Sequence, residues 1–232
     1  WAARGHSAVT PATIDAARLL CAESVDEELS RVDAADAAIE RTRLLGSAVA
    51  VGMGDLVLDV EAERGLPVVE RHLEERFDGR FPVTAADGSE RVIGLRGKAD
   101  RIDLLEGGRL DLIDYKTGRA PGHRSVQLPV YAHVAELRFA GHLGQAWKAG
   151  AADYLAFRGR PVTRALGRKP EDRDERMRGA QAALVAAVDA IGAGEFPPRP
   201  AEVRICSWCP YDAVCRKDYV DAEEEGEADG QA

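Results

Sequence analysis

The sequence of 232 residues predicts an α/β fold, in which a mixed β-sheet is flanked by helices and a cysteine cluster near the C-terminus binds a metal. Apolar residues recur at three- and four-residue intervals over 11–43, which is a helical pattern. Residues 90–105 and 109–116 instead alternate apolar and polar side chains in the two-residue period of strands, and 152–157 is a further short strand. Helices and strands that alternate in this way are typical of a sheet covered by helices.

A helical N-terminal region is expected over residues 1–80. Thr13, which follows a proline, is a suitable start signal for its first helix. A second, mostly helical stretch over 48–76 is interrupted near Gly65 and Pro67, which break helices. The sequence therefore predicts that the sheet begins only after this region, where the pattern changes at Phe81.

The rest of the chain divides into three parts. A core over 81–195 carries the strands, a helix within 124–139 and a charged helix over about 171–191. A proline-rich segment then leads into the cysteine cluster, which we place in 196–219. The last part, 220–232, is rich in acids, and we expect it to be disordered.

The formal net charge of −9 at first argues against a nucleic-acid partner, because proteins that bind nucleic acid are usually basic. Seven acids and no base lie in 218–232, however, so the rest of the chain carries only −2. Residues 91–124 contain eight bases and five acids, and residues 158–178 contain eight bases and four acids. Both basic segments could thus contact phosphates. The second segment is equally well explained as a helix face that is simply exposed to solvent.

No segment has the length of a membrane span, and no secretory signal opens the chain. We therefore expect a cytoplasmic protein that does not interact with membranes. Because the first residue is Trp1 rather than Met, we also expect the natural chain to continue upstream.

The most informative segment is a predicted hairpin around Gly107 and Gly108. If Glu106 and these glycines form a three-residue loop, two apolar pairs and then two carboxylates face each other across the hairpin: Leu104 with Leu110, Ile102 with Leu112, and Asp100 with Asp114. Lys116 lies on the same face as Asp114, two residues further on. A two-residue loop would shift the register and separate the two acids.

Opposed carboxylates repel each other and need a compensating cation. Mg²⁺ or Mn²⁺ suits oxygen ligands of this kind and can activate a water against a phosphate. Lys116 adds a positive charge that could orient the water and stabilise the transition state. The simpler reading is a solvated hairpin edge that happens to carry Asp and Lys.

These residues also resemble a known family. Asp100 with Asp114-Tyr115-Lys116 resembles the signature of the PD-(D/E)XK nucleases, and the segments 97–103, 114–118 and 127–131 resemble its RecB/AddB branch. The resemblance implies a restriction-endonuclease-like fold with Mg²⁺ or Mn²⁺ bound by Asp100, Asp114 and the backbone carbonyl of Tyr115. It implies catalytic roles for Asp100, Asp114, Lys116, Gln127 and Tyr131.

By the same resemblance the chain is a metal-dependent deoxyribonuclease, an exonuclease rather than an endonuclease. It would be the nuclease module of a helicase-nuclease in double-strand-break repair and recombination, cutting single-stranded DNA supplied by a helicase domain or subunit. Two alternatives remain: a catalytically inactive DNA-binding scaffold subunit with the same fold, and a nuclease of the CRISPR-adaptation type. RecB-type nucleases also carry a metal-binding His, which could be His6, His72 on its predicted helix, or a His upstream of Trp1.

Three of the four cysteines lie close together as Cys206, Cys209 and Cys215, with the spacing C-x₂-C-x₅-C. In a reducing compartment this spacing favours a metal over disulfides. It resembles the iron–sulfur cluster of AddB, which implies a structural 4Fe-4S cluster, with zinc as the alternative. The fourth ligand would be Cys21 or a cysteine upstream of the chain, although Cys21 also fits a helix interior as a small apolar residue.

Overall fold

The computed structural model describes residues 7–122, 125–196, 206–207 and 209–215. The chain divides into two compact units, Trp1–Val185 and Ala186–Ala232. The expected disorder of the acidic tail and the placement of His6 concern residues outside the described part of the chain.

Three helices open the first unit: α1 (Ile14–Leu29), α2 (Ala34–Leu45) and α3 (Met53–Arg64). They pack against one another. Helix α3 ends at Gly65, whose φ of 54° lies in the left-handed region that glycine adopts at little cost. The helical prediction is therefore confirmed for the chain as far as this break.

The helical prediction is wrong beyond the break, because strand β1 occupies Val68–Thr84. The sheet thus begins before Phe81, and His72 lies on a strand rather than on a helix. Glu and Arg are abundant in this segment and favour a helix in isolation. Antiparallel pairing with the next strand along nearly the whole of β1 outweighs that local preference.

Strand β1 also changes its inward face, which hides its period in the sequence. Glu70 and His72 are half-buried before Glu74, whereas Glu75 and Phe77 face inward after it. Glu74 itself has a φ of 56°, a left-handed conformation that is uncommon outside glycine. A single irregular residue therefore shifts the alternation by one position.

The remaining strands are β2 (Glu90–Leu105), β3 (Arg109–Lys116), β4 (Lys148–Ala156) and β5 (Val162–Arg164). The sheet order is β1-β2-β3-β4-β5. All neighbours are antiparallel except β3 and β4, which are parallel and joined through helix α4 (Gln127–Arg138). The predicted mixed sheet flanked by helices is confirmed.

The apolar core lies between the sheet and α4, joined by the first part of α5 (Pro170–Ala193). Leu128 of α4 and Met177 of α5 pack into one cluster with Ile102 and Leu112 of the hairpin. Among the described residues, no helix combines the length and apolar character needed to cross a membrane.

Candidate active site

The hairpin of β2 and β3 has the register that the three-residue loop predicts. Leu104 pairs with Leu110 and Ile102 with Leu112, and the recorded ladder ends where Arg101 pairs with Ile113. One position further along β2, the Asp100 side chain links the two strands, because its Oδ2 accepts a hydrogen bond of 2.9 Å from the backbone N–H of Tyr115.

Asp114 is buried, with 3% of its surface exposed. Its Oδ1 accepts a hydrogen bond of 3.0 Å from Nε2 of Gln127. Its Oδ2 forms an ion pair with Lys116, whose Nζ lies 2.6 Å away. Apart from this lysine, the buried Oδ2 has no polar partner among the described residues. Burial raises the pKa of Asp114, and the Asp100 charge adds to the rise against the opposing effect of Lys116.

Lys116 is held by three neighbours. Besides the ion pair with Asp114, its Nζ lies 3.4 Å from Oε1 of Gln127 and 5.5 Å from the centre of the Tyr154 ring. Gln127 therefore contacts both the acid and the lysine from the first turn of α4. Sequence reasoning missed Tyr154, whose signal is its position on β4 in register with Asp114.

Tyr131 lies one helical turn after Gln127 on α4, and its described contacts are with the sheet. A Cβ placed on Gly97 would lie 2.5 Å from the Tyr131 hydroxyl, so the ring covers bare backbone there. The ring also meets Phe77 edge to face, with centroids 5.5 Å apart. The structure thus brings Asp100, Asp114, Lys116 and Gln127 together, whereas Tyr131 packs against β1 and β2.

A second pair of opposed acids lies on the other face of the same hairpin, and sequence reasoning overlooked it. Asp103 pairs across the strands with Asp111, and both side chains are buried. Each acid accepts hydrogen bonds from two arginines: Asp103 from Arg71 and Arg101, and Asp111 from Arg64 and Arg109. Burial alone would raise the pKa of Asp103, but the two arginines lower it.

The contrast between the two acid pairs bears on whether a metal fits. The pair on the second face is neutralised by arginines, whereas Asp100 and Asp114 have a single cation, Lys116, among their described partners. A buried carboxylate oxygen whose one polar neighbour among the described residues is Lys116, beside a second carboxylate, is a suitable ligand set for Mg²⁺ or Mn²⁺. The residues present therefore fit the divalent ion that their resemblance implies.

The expected histidine ligand is not supplied by His72. Within the described part of the chain, one set of three or more His, Cys, Asp or Glu side chains has its ligand atoms within 4.8 Å of one another, and it consists of Glu70, His72 and His142. This set includes neither Asp100 nor Asp114. A histidine for the candidate active site would have to come from outside the described residues.

The cysteines are all free thiols and are half-buried. Cys206, Cys209 and Cys215 lie in the second unit, where a backbone hydrogen bond of 3.3 Å joins Cys209 to Cys206. Cys21 lies on α1 in the first unit and packs closely over Gly54 of α3. Burial raises the pKa of the Cys21 thiol. This environment suits a packed helix residue, and metal binding by the four cysteines stays a prediction.

Comparisons with known proteins agree with this geometry at the level of the family. The family model of the PD-(D/E)XK nuclease superfamily matches residues 2–216. A search of curated proteins finds no significant match. Among solved structures, the crystal structure of SSO0001 is 16% identical, with 86% of this chain and 80% of that chain covered at a TM-score of 0.34, a similarity on which no conclusion rests. The match over nearly the whole chain shows that this protein belongs to the PD-(D/E)XK nuclease superfamily.

Proposed function

We propose that the protein hydrolyses phosphodiester bonds in DNA with the help of Mg²⁺ or Mn²⁺. The observation that carries the proposal is the arrangement of two neighbouring carboxylates, Asp100 and the buried Asp114, with a single lysine 2.6 Å from Oδ2 of Asp114. One lysine does not neutralise two carboxylates, so the site can accept a further cation. Membership of a nuclease superfamily supports the same reading.

Asp100, Asp114 and the backbone carbonyl of Tyr115 would hold the ion. When bound, it would offset the negative charge that develops on the phosphate and ease deprotonation of a water. In the reaction a water oxygen forms a bond to phosphorus and loses a proton to solvent, while the bond from phosphorus to one bridging oxygen breaks and that oxygen takes up a proton from solvent. The products are one phosphate end and one hydroxyl end.

Lys116 would stabilise the charge on the phosphate oxygens as the new bond forms. Gln127 holds that lysine in place, because its Oε1 lies 3.4 Å from Nζ while its Nε2 donates to Asp114. The Tyr154 ring at 5.5 Å from Nζ adds a favourable face for the cation. Together these contacts restrict a long, flexible side chain to one position.

Exposed arginines close to Lys116 support a nucleic-acid substrate. Arg119 follows β3, and Arg158 follows β4. The chain segments that carry them are joined by two backbone hydrogen bonds, one of 3.0 Å from Phe157 to Lys116 and one of 3.3 Å from Arg158 to Gly118. Phosphate contacts from these arginines should make binding fall steeply with salt.

Finer aspects of the proposal rest on sequence motifs. We propose a RecB/AddB-like exonuclease that acts in the cytoplasm on single-stranded DNA from a helicase, in repair and recombination of double-strand breaks. We also propose that Cys206, Cys209 and Cys215 bind a structural 4Fe-4S cluster. Visible absorbance of anaerobically purified protein, together with iron and zinc analysis, would distinguish this cluster from zinc and from no metal.

The decisive experiment measures Mg²⁺-dependent cleavage of end-labelled and circular single-stranded DNA. Lys116→Ala should lower the cleavage rate by about 100-fold or more, the usual loss when one transition-state contact is removed. Lys98→Ala is the matched control, because this lysine lies on β2 of the same hairpin and pairs with Glu74 at the surface.

Cleavage of the linear but not the circular substrate would support an exonuclease. Full activity of Lys116→Ala would overturn the proposed mechanism. A wild-type protein that binds single-stranded DNA with no cleavage in either Mg²⁺ or Mn²⁺ would instead support the inactive scaffold subunit.

A further inference from the structure

We propose that Glu70, His72 and His142 form a second metal site, suited to Zn²⁺ or a similar transition-metal ion. Their ligand atoms all lie within 4.8 Å of one another. The Glu70 carboxylate lies between the two imidazole rings, with Oε1 3.0 Å from Nε2 of His72 and Oε2 2.8 Å from Nε2 of His142.

The fold holds these three side chains firmly. Glu70 and His72 lie two residues apart on β1, before its face changes, so they point to the same side of the sheet. The His72 ring packs on Phe139 with centroids 4.7 Å apart. The backbone carbonyl of His142 accepts a hydrogen bond of 2.8 Å from Nε1 of the buried Trp147. The ligands therefore come from two ordered parts of the first unit.

His72 has an unused ligand atom. Its Nε2 is buried and has no properly directed hydrogen bond among the described residues, even though a Glu70 oxygen is close. Its other ring nitrogen, Nδ1, lies 3.9 Å from Oε2 of Glu75. At that distance Glu75 makes no hydrogen bond to the ring, but a small rotation would bring it to the position of the carboxylate that usually orients a metal-bound histidine.

The chemistry of this ligand set differs from that of the candidate active site. Two imidazoles and one carboxylate, with a water in the fourth position, make a common zinc coordination. Imidazole favours Zn²⁺ and its neighbours over Mg²⁺. Zinc bonds of this type place tetrahedral ligand atoms about 3.4 Å apart. The contacts of 3.0 and 2.8 Å from Glu70 to the two rings, and the bound of 4.8 Å on every pair of ligand atoms, come within reach of this spacing after small side-chain rotations.

The two sites cannot share one ion. Gln127, at the start of α4, contacts Asp114, whereas Phe139, just beyond its end, contacts His72. The helix between these two contact points has 12 residues and is about 18 Å long. Neither Asp100 nor Asp114 belongs to the set of side chains whose ligand atoms lie within 4.8 Å of one another. A metal between β1 and the turn that holds His142 would link the far end of α4 to the sheet, with its fourth position open to water or to a small ligand.

The test uses the full chain after treatment with a chelator. Zn²⁺ at 100 times its dissociation constant should raise the melting temperature of the wild type by about 5–10 °C. In His142→Gln and in Glu70→Gln this rise in melting temperature should disappear. Each substitution should weaken zinc binding by more than about 100-fold, which exceeds the loss expected for a residue that only orients a ligand. His133→Gln is the matched control, since His133 on α4 bonds the Pro82 carbonyl and lies outside the set.

Co²⁺ separates this site from the cysteines, because cobalt bound to thiolate has a charge-transfer band that nitrogen and oxygen ligands lack. The wild-type spectrum minus that of His142→Gln should show one cobalt without that band. If His142→Gln fails to fold by circular dichroism, Glu70→Gln decides the question. Equal stoichiometry and equal thermal shift in the wild type and the folded site variants would overturn the proposal. Neither result depends on nuclease activity.

Discussion

Gly97 of β2 lies beneath the ring of Tyr131, and replacement by alanine should displace helix α4. The added Cβ would lie 2.5 Å from the tyrosine hydroxyl oxygen, 3.0 Å from Cζ and 3.1 Å from Cε1. Ordinary contact begins at 3.4 Å, so the hydroxyl would have to move by about 0.9 Å. The ring cannot simply turn away, because Phe77 packs against it edge to face.

Gly94→Ala on the same strand is the matched control. A Cβ on Gly94 meets nothing within 4 Å. Both variants gain the same restriction of the unfolded chain, so this contribution cancels in their comparison. The clash should leave Gly97→Ala less stable than Gly94→Ala by about 1–3 kcal/mol, the usual effect of overpacking. For a chain of this length that energy corresponds to a melting temperature lower by about 2–12 °C.

Thermal unfolding of the two variants, with and without Tyr131→Phe, measures the effect. Removal of the hydroxyl should recover part of the lost stability, which gives a coupling of at least about 0.5 kcal/mol between Gly97 and Tyr131. If cleavage occurs as proposed, a displacement of this size should lower it by about 100-fold, since α4 also carries Gln127. Equal melting temperatures for Gly97→Ala and Gly94→Ala, or zero coupling, would refute the packing argument.

Two further predictions concern the buried acids. The pKa of Asp114 is raised, so the native state binds a proton more tightly than the unfolded state. Stability therefore falls as the pH rises from the pKa of the unfolded state through the pKa of the native state. Asp114→Asn should therefore raise the melting temperature of the metal-free protein at neutral pH and, if cleavage occurs as proposed, abolish it; a lower melting temperature would contradict this. Arg101→Met should cost about 3 kcal/mol by urea unfolding, because it removes one partner of the buried Asp103, whereas Arg96→Ala at an exposed pair should cost under about 1 kcal/mol. The lowered pKa of Asp103 means that its contribution is present at neutral pH and lost as the pH falls through its native pKa, which the same unfolding series at acidic pH would detect.

The hairpin could be predicted because its signals are local. Two glycines mark the loop, the apolar residues alternate around it, and the loop length alone sets which residues face each other. The pairing of Ile102 with Leu112 follows directly from that register. Gln127 could be placed near the acids only through the family resemblance, because an irregular loop lies between β3 and α4 and no local pattern fixes how that loop returns the helix to Asp114.

Strand β1 could not be predicted because its signal is not local. The alternation of inward side chains changes phase at Glu74, so no single two-residue period runs through the segment. Its partner strand shows the same change, because Ala99 and Ile102 are three residues apart and both lie in the core. The sequence therefore shows two short, weak alternating patterns, whereas the structure contains one long strand that is paired along its length.

The hairpin carries two pairs of opposed aspartates, and the charges of the two pairs are balanced in different ways. On one face Asp103 and Asp111 oppose each other, and arginines from β1, β2, β3 and α3 saturate both carboxylates. Substitutions on that face should be costly. The loss of any one arginine takes a partner from a buried carboxylate that water cannot reach. On the other face Asp100 and Asp114 have one lysine between them, and burial raises the pKa of Asp114 instead of lowering it. The fold places an arginine next to this site in the chain, yet it gives the two acids a single lysine and leaves the pKa of Asp114 raised, which is a local cost in stability. Such a cost is expected where an added cation, and not the chain itself, completes the charge balance.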